Sequence, residues 1–361
     1  MWWFSFSFLF VLMLAVQIYF WVFLFQLLLK PGERFSKYNH NKMDISLLVC
    51  SKNALHHLKQ NLSHWLNQKY SNFELIIIDD HSTDGSLQWL QQQSAKSPIL
   101  KIHSCAPGVS GKKQALYTGV QFAKYKLLAL TDADCTPSSP HWLEKLANKL
   151  GDHKEIVLAY APYFTRPGWL NKLIRFETVL NMMQTGGAAL CGKPYAATGR
   201  NLLYLRSIFD RDAMHPELPY GDDDFLIHHK ANSSNTAVCL NPDSFVYTEA
   251  EITYRSYFLQ KWRHYSSSKK YSISSKLILL TFYGSLFCFY LGLFLSCIQG
   301  KVLLALLLFS IKMLICWPVF CKTCNLLREQ RLCLYYPLLE IIYLLHLCIQ
   351  LPFLAIRKKT W

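Results

Sequence analysis

Two aspartates one residue apart, in Thr131-Asp132-Ala133-Asp134, are hard oxygen donors at a spacing that suits Mg²⁺ or Mn²⁺. Such ions take one or two carboxylates and complete their shell with water and substrate phosphate, so a nucleotide diphosphate is the natural third partner. Acids in a turn after a strand are often only turn formers. Here an apolar run, Leu127 to Leu130, leads into the pair, and no neighbouring basic residue in the chain neutralises it. Further on, Gly221-Asp222-Asp223-Asp224 opens an apolar helical stretch. One carboxylate would satisfy the helix dipole; three neighbouring ones raise one another's pKa, which is a route to a general base. Gln260-Lys-Trp-Arg263-His264 is basic and aromatic, and by itself reads as an interfacial anchor. Gly108-Val-Ser-Gly111-Lys112-Lys113 lacks the spacing and the Ser or Thr of a phosphate loop. A Gly-Lys turn can still meet an anion through backbone N–H groups and Lys112, or simply start a helix.

The elements around these residues alternate. Asp44 to Cys50 is a short β-rich run, followed after Ser51-Lys-Asn53 by helically spaced Leu55, Leu58, Leu62, Trp65 and Leu66. Phe73 to Ile78 is a continuous apolar run, as in a strand buried on both faces, and it ends in Asp79-Asp80. A helix from Ser86 to about Gln93, a weak strand at Ile99 to His103, a helix from Lys112 to Lys124 and a strand at Leu127 to Leu130 continue the pattern. Repeated βα units predict an α/β fold with a parallel, doubly wound sheet. Ligands in such sheets bind at the carboxyl ends of the strands, where Ser51, Asn53, Asp79, Asp80, Asp132 and Asp134 collect. No Gly-x-Gly-x-x-Gly follows the first strand, which sets aside a dinucleotide-binding dehydrogenase.

The 361 residues are 52% hydrophobic and only 17% charged, with a net charge of +15. That composition excludes disordered, collagen-like and disulfide-stapled miniature proteins and points to a membrane protein. Trp2 to Leu29 contains no Asp, Glu, Lys, Arg or His, and as a helix it would extend roughly 42 Å, enough to cross a bilayer with tilt. It reads as a retained anchor because no basic run precedes it and no small-residue cleavage site follows. Leu277 to Ile298, Val302 to Phe320 and about Leu332 to Ile356 are further apolar segments. The last carries Pro337, Glu340, His346 and Pro352, so a kinked span, a re-entrant hairpin and an interfacial pair of helices are all open to it. The organisation expected is an anchor at 1–30, a linker at 31–43, a catalytic domain at 44–250, a basic interfacial segment at 251–276 and a transmembrane region of two or three spans at 277–361.

Basic residues flank the apolar blocks: Lys30, Arg34, Lys37 and Lys42 on one border, and Arg255, Lys261, Arg263, Lys269, Lys270 and Lys276 on the other. By the positive-inside rule both borders, and the domain between them, face the cytoplasm. Three full spans after that domain would put Arg357, Lys358 and Lys359 outside, a conflict that a closing hairpin removes. Membrane lipid headgroups account for this charge, and with no nucleic-acid motif present, nucleic acid is not an expected partner. The twelve cysteines show no paired spacing, which fits reduced thiols. Cys316, Cys321 and Cys324 cluster without a fourth ligand nearby. The sequons at Asn61 and Asn232 are expected to be silent in a cytoplasmic domain.

Taken in order, these motifs resemble the inverting glycosyltransferases of family 2, whose fold is GT-A, a Rossmann-like nucleotide-diphospho-sugar transferase architecture. The resemblance covers about residues 44–270. It rests on Cys50-Ser-Lys-Asn53, Ile78-Asp-Asp-His-Ser-Thr-Asp84-Gly-Ser86, Gly111-Lys112 with Ala115-Leu116, Asp132-Ala-Asp134, Gly199-Arg-Asn201, Gly221-Asp222-Asp223 and Gln260-Lys-Trp-Arg263. The flanking apolar segments look like the membrane-bound branch that includes bacterial polysaccharide transferases. The resemblance implies that Ser51 and Asn53 line a nucleotide pocket and that Asp80, with Asp79, contacts the base. It also implies that Asp132 and Asp134 hold the nucleotide sugar and an Mg²⁺ or Mn²⁺ ion, with Asp134 the more direct ligand. Asp223 falls at the position of the base, Asp222 replaces the usual glutamate, and Arg263 with Gln260 would steady the departing diphosphate.

Two departures bear on function. Ala54 stands where an acid often follows the asparagine, and His264 replaces the tryptophan that supports the acceptor in processive synthases. With few C-terminal spans, this favours adding one or a few sugars to a glycan or lipid-linked acceptor in cell-envelope polysaccharide or glycolipid synthesis at the bacterial inner membrane. The alternatives are a polyprenyl-phosphate sugar synthase, a processive polysaccharide synthase and a non-catalytic membrane scaffold.

Overall fold

The structure, a computed structural model, describes residues 2–29, 43–151, 153–212, 222–267 and 271–356. Side chains at 2–7, 222–225, 266–267 and 351–356 are not described. The expected linker up to residue 42 and the basic residues Lys30, Arg34, Lys37, Lys42, Lys269, Lys270, Arg357, Lys358 and Lys359 lie outside the described residues. The chain divides into two units. A sheet unit comprises Pro31–Thr165 and Ala188–Glu251, and a helical unit comprises Met1–Lys30, Arg166–Gly187 and Ile252–Trp361.

In the sheet unit, β1 (Ile45–Ser51) and β2 (Phe73–Asp79) are central and buried almost throughout, as their continuous apolar runs predict. β2 pairs in parallel with β3 (Leu100–Ser104), and β1 with β4 (Leu127–Asp132). The register opposes Ser51 to Asp79 and Cys50 to Asp132. Three strands thus deliver their polar tips to one edge. Helix α1 spans Trp2–Tyr19 and belongs to the helical unit. α2 (Leu55–Leu66) buries Leu58, Asn61, Leu62 and Trp65, a stripe at helical spacing that faces the core. After α3 (Ser86–Ser94), α4 (Lys112–Phe122) approaches the sheet at Gly119, where a Cβ would lie 2.7 Å from Ile78 Cδ1.

The remaining strands follow β5 (Thr136–Pro137) and α5 (Trp142–Ala147). They are β6 (Ile156–Ala159), β7 (Leu202–Leu205), β8 (Thr236–Cys239) and β9 (Val246–Tyr247). The main sheet has the order β3-β2-β1-β4-β7-β6-β8, with β5 and β9 forming a separate pair. β1 to β4, the strands expected from the sequence, run in parallel as predicted, but β7 runs antiparallel to both β4 and β6, which makes the sheet mixed. The reason lies in the connection. Between β6 and β7 the chain runs through α6 (Trp169–Leu190), most of which belongs to the helical unit. It therefore makes no βαβ crossover and re-enters at the edge it left.

In the helical unit the first segment continues from α1 through a π-turn (Phe20–Leu24) and a 3₁₀ turn to Leu29. Beyond α7 (Asp222–Lys230) of the sheet unit come α8 (Tyr254–Ser267), α9 (Ile273–Ile298), α10 (Val302–Leu326) and α11 (Tyr336–Ile356). Four segments, Phe8–Leu29, Ile273–Ile298, Val302–Leu326 and Gln330–Gln350, are long and apolar enough to cross a membrane. The final segment, whose form was open, is one helix entered by a 3₁₀ turn over Gln330–Tyr335. Gln17 of α1 donates to Phe282 O and Ser285 Oγ of α9, each at 2.8 Å. Phe10 packs where Gly292 lacks a side chain.

Lys312 and Glu340, each costly in lipid alone, pair with one another, and Glu340 also accepts from Tyr290 and Tyr336. Cys321 and Cys333 form a disulfide, which corrects the reading of all thiols as reduced. The 3₁₀ turn folds the chain back until their Cα atoms are 4.9 Å apart. Cys321 is thereby removed from any shared role with Cys316 and Cys324.

Removing one member of the buried Lys312–Glu340 pair leaves an uncompensated charge. Glu340→Ala is expected to cost about 3–5 kcal/mol, and Lys312→Leu with Glu340→Leu together distinctly less. Thermal unfolding in detergent, followed by near-UV circular dichroism, checks this; a double variant as damaged as the single would refute it.

Candidate functional site

The loops after β1 and β2 are braced against each other. Asn53 adopts φ 50°, a left-handed conformation that asparagine tolerates. Its N–H donates to Ser82 Oγ at 2.9 Å, and its Oδ1 accepts from Thr83 N at 2.7 Å. Asp84 accepts from Leu55 N at 2.9 Å and from both N and Oγ of Ser86. These bonds hold the loops open as a rim above the strand tips.

Asp80 is buried, and its Oδ2 accepts from Gly111 N (2.9 Å), Ser110 Oγ (3.1 Å) and Lys52 Nζ (3.2 Å). Burial alone would raise its pKa. The Gly111 N–H, the Ser110 hydroxyl and Lys52 outweigh that and hold the carboxyl below its usual range. Asp80 thus ties β2 to the start of α4, where Gly111 takes φ 116°. Asp79 Oδ2 accepts from Ser82 N at 3.1 Å. Ser51 Oγ, Asp79 Oδ1, Asp80 Oδ1 and Thr131 Oγ1 are buried and make no hydrogen bond among the described residues. Unpaired buried polar atoms are costly, and four on adjacent strand ends mark a surface suited to a polar ligand.

Next to them, ligand atoms of Asp132, Asp134 and Cys135 lie within 4.8 Å of one another. Asp132 Oδ1 is 2.8 Å from Lys112 Nζ. The expectation that no basic residue neutralises the pair therefore holds along the chain and fails in space, because the start of α4 brings Lys112 back to the end of β4. Asp134 Oδ2 accepts from Thr248 Oγ1 at 2.9 Å, and its Oδ1 from Cys135 Sγ at 3.2 Å. Burial, then the Asp134 and Asp132 charges, push the Cys135 thiol well up, so it stays protonated. The donors left are two carboxylates, a set that fits Mg²⁺ or Mn²⁺ better than a thiophilic metal.

Several contributors were not identified from the sequence. Asn61, noted there only as a sequon, is buried. Its Nδ2 donates to Ala133 O at 3.0 Å, and its Oδ1 accepts from Thr136 Oγ1 at 2.6 Å, so α2 holds the aspartate loop. Asn201 donates to Tyr160 O and Ser244 O and accepts from Trp142 Nε1, so both amide hydrogens and the amide oxygen are engaged. Its neighbour Arg200 donates to Ala161 O at 2.7 Å, with its guanidinium 4.5 Å from the Tyr163 ring centroid. Tyr163 bridges to Thr248, the residue that holds Asp134. Burial works to lower the Arg200 pKa; Tyr163, Cys135 and Asp134 more than offset it. Gly199-Arg-Asn201 belonged to the resemblance but carried no assigned role.

The structure thus brings together Ser51, Asp79, Asp80, Lys112, Asp132 and Asp134, with Asn53 in the rim. Asp222 and Asp223 begin α7, and their side chains lie outside the description. Gln260 and Arg263 stand on α8 in the helical unit. There Lys261 pairs with the fully buried Glu177 at 2.7 Å, and Glu177 also accepts from Tyr257 and Tyr265.

Two predictions follow from this geometry. Asn61→Ala strands the Ala133 carbonyl and the Thr136 hydroxyl and is expected to lower stability by about 1–3 kcal/mol, measured by chemical unfolding. The depressed pKa of Asp80 means its folded-state contribution is complete above the unfolded value of about 4 and is lost as pH falls toward the folded one. The stability gap between wild type and Asp80→Asn should therefore be constant from pH 6 to 5 and narrow below about 4. A gap that widens on acidification would contradict it.

Residues 46–212 match the family model for glycosyl transferase family 2. An uncharacterized glycosyltransferase of Haemophilus influenzae is 31% identical over 145 residues, covering 36% of this chain and 44% of that protein. A UDP-Glc:alpha-D-GlcNAc-diphosphoundecaprenol beta-1,3-glucosyltransferase of Escherichia coli is 29% identical over 90 residues, covering 25% of this chain and 34% of that protein. The chain thus spans less than half the length of these curated relatives. Among solved structures, a mannosyltransferase from Pyrobaculum calidifontis in complex with GDP-Man and Mn²⁺ superposes with a TM-score of 0.57 over 94% of this chain and 99% of that one, at 14% identity, a likeness of fold. Residues 46–212, which hold most of the mixed sheet and its carboxylate edge, are therefore a family 2 glycosyltransferase domain of GT-A fold.

Proposed function

We propose that the protein is a membrane-anchored inverting glycosyltransferase that moves a sugar from a UDP- or GDP-sugar to a hydroxyl of a lipid-linked glycan or glycolipid in cell-envelope synthesis. Its sheet unit is assigned to the cytoplasmic side of a bacterial inner membrane by the basic residues bordering the apolar segments. The observation that carries the reading is the pair Asp132 and Asp134, gathered beside four buried polar atoms that have no hydrogen-bond partner among the described residues. Four helices able to cross a membrane support the anchoring. A donor of UDP-glucose with a diphosphoundecaprenol-linked acceptor is named for the Escherichia coli relative, and GDP-Man with Mn²⁺ for the Pyrobaculum calidifontis mannosyltransferase.

Asp132 and Asp134 would hold Mg²⁺ or Mn²⁺, which when bound supplies positive charge to a departing diphosphate. Ser51, Asp79, Asp80 and Thr131 offer their unpaired atoms to the nucleoside, with the rim held by Asn53. Asp223 takes the proton of the acceptor hydroxyl as that oxygen attacks the anomeric carbon from the face opposite the diphosphate. The new C–O bond forms while the bond to the phosphate oxygen breaks, which inverts the centre, and the electron pair leaves on the diphosphate. The roles of Asp222 beside the base, and of Arg263 and Gln260 at the diphosphate, rest on the sequence motifs.

Turnover of nucleotide sugars by the purified full-length protein tests the reading. Asp134→Asn should abolish metal-dependent transfer. Asp223→Asn should reduce transfer by about 10²–10⁴-fold while nucleotide binding persists. Normal transfer by Asp223→Asn would reject the base, and a loss below tenfold would favour a phosphate acceptor, as in a polyprenyl-phosphate sugar synthase.

A further inference from the structure

Lys112 meets Asp132 in a way the donor-binding reading does not by itself require. Its ammonium sits 2.8 Å from Asp132 Oδ1, on one of the two carboxylates that would take a cation. A cation accepting that oxygen at about 2.1 Å would lie within roughly 5 Å of the ammonium, where a single and a double positive charge repel. Lys112 and the ion therefore compete for one ligand.

The lysine is built to let go. The pair is open to solvent, with side-chain exposures of 42% for Lys112 and 33% for Asp132, and exposed ion pairs are weak. The backbone beneath it is fixed, because Gly111 N–H is held by Asp80 Oδ2 at 2.9 Å, so the four-carbon stem is the part left to move. Released from Asp132, the ammonium can still reach an anion held near the start of α4, where helix N–H groups also favour negative charge. A diphosphate arriving with the cation is such an anion.

Resting on the nucleotide-sugar reading of this site, we propose that Lys112 is an exchangeable counter-ion. It neutralises Asp132 while no donor is bound and transfers to the donor diphosphate when a divalent cation takes the carboxylate, so that cation and nucleotide binding reinforce each other. Linkage makes the reinforcement reciprocal. The free enzyme binds the ion weakly, and the ion settles together with its nucleotide.

Isothermal calorimetry on the full chain in detergent reads this without turnover, using Mn²⁺ alone, UDP or GDP alone, and each nucleotide at saturating Mn²⁺. In Lys112→Met, Mn²⁺ alone should bind about fivefold tighter, the scale of an exposed ion pair, while the gain in nucleotide affinity conferred by Mn²⁺ should shrink. Lys112→Arg should keep the wild-type pattern, and Lys113→Met, with the same change in net charge, should leave Mn²⁺ affinity unchanged. Unchanged or weaker Mn²⁺ binding in Lys112→Met, or equal tightening in Lys113→Met, overturns the exchange while leaving the donor site standing. Wild-type protein that binds neither Mn²⁺ nor nucleotide overturns both.

Discussion

Negative charge gathered at one end of a sheet repels itself, and the sheet unit is arranged around holding it there. Parallel register brings the ends of β1, β2 and β4 level, which puts Asp79, Asp80, Asp132 and Asp134 within one neighbourhood. Each is given its own donor. Asp80 has Lys52, Ser110 and Gly111 N–H; Asp79 has Ser82 N–H; Asp132 has Lys112; Asp134 has Thr248. These donors come from loops far apart in sequence, so the folded sheet is itself what makes the charges compatible.

The same rule operates in the helical unit under harsher terms. Glu177 with Lys261, Arg175 with Glu329 and Lys312 with Glu340 are pairs buried almost completely. Away from water an isolated charge is far more expensive than at a sheet edge, so each ion is matched and the carboxylates of Glu177 and Glu340 take tyrosine hydroxyls as well. Such pairs add little net stability against a well-packed apolar alternative, but they tolerate no partial loss.

What the sequence disclosed follows from the range of the forces involved. β1, β2 and β4 and helices α2 to α4 stood out because continuous apolar runs and helical spacing are local records of burial. β6, β7 and β8 are four residues each, too short for period or composition to register. The reversed direction of β7 depends on where α6 leads the chain. Most of the carboxylates at the sheet edge were named from their positions after strands, whereas their partners were not. The Lys112–Asp132 contact, the hold of Asn61 on Ala133 and the Cys321–Cys333 bridge each join residues that nothing in their own neighbourhoods links. The motif on α8 could be read as a string, yet the buried Glu177 that anchors Lys261 within it could not.

The joint between α1 and α9 gives the amino-terminal helix a meaning beyond tethering. Phe10 fills the notch at Gly292, and Gln17 reaches the Phe282 carbonyl and the Ser285 hydroxyl. A helix docked this way is a packed member of the helical unit rather than a tether alone. A shortened chain lacking it would not simply drift free into water, because it would present an apolar groove and bare polar atoms to whatever came next.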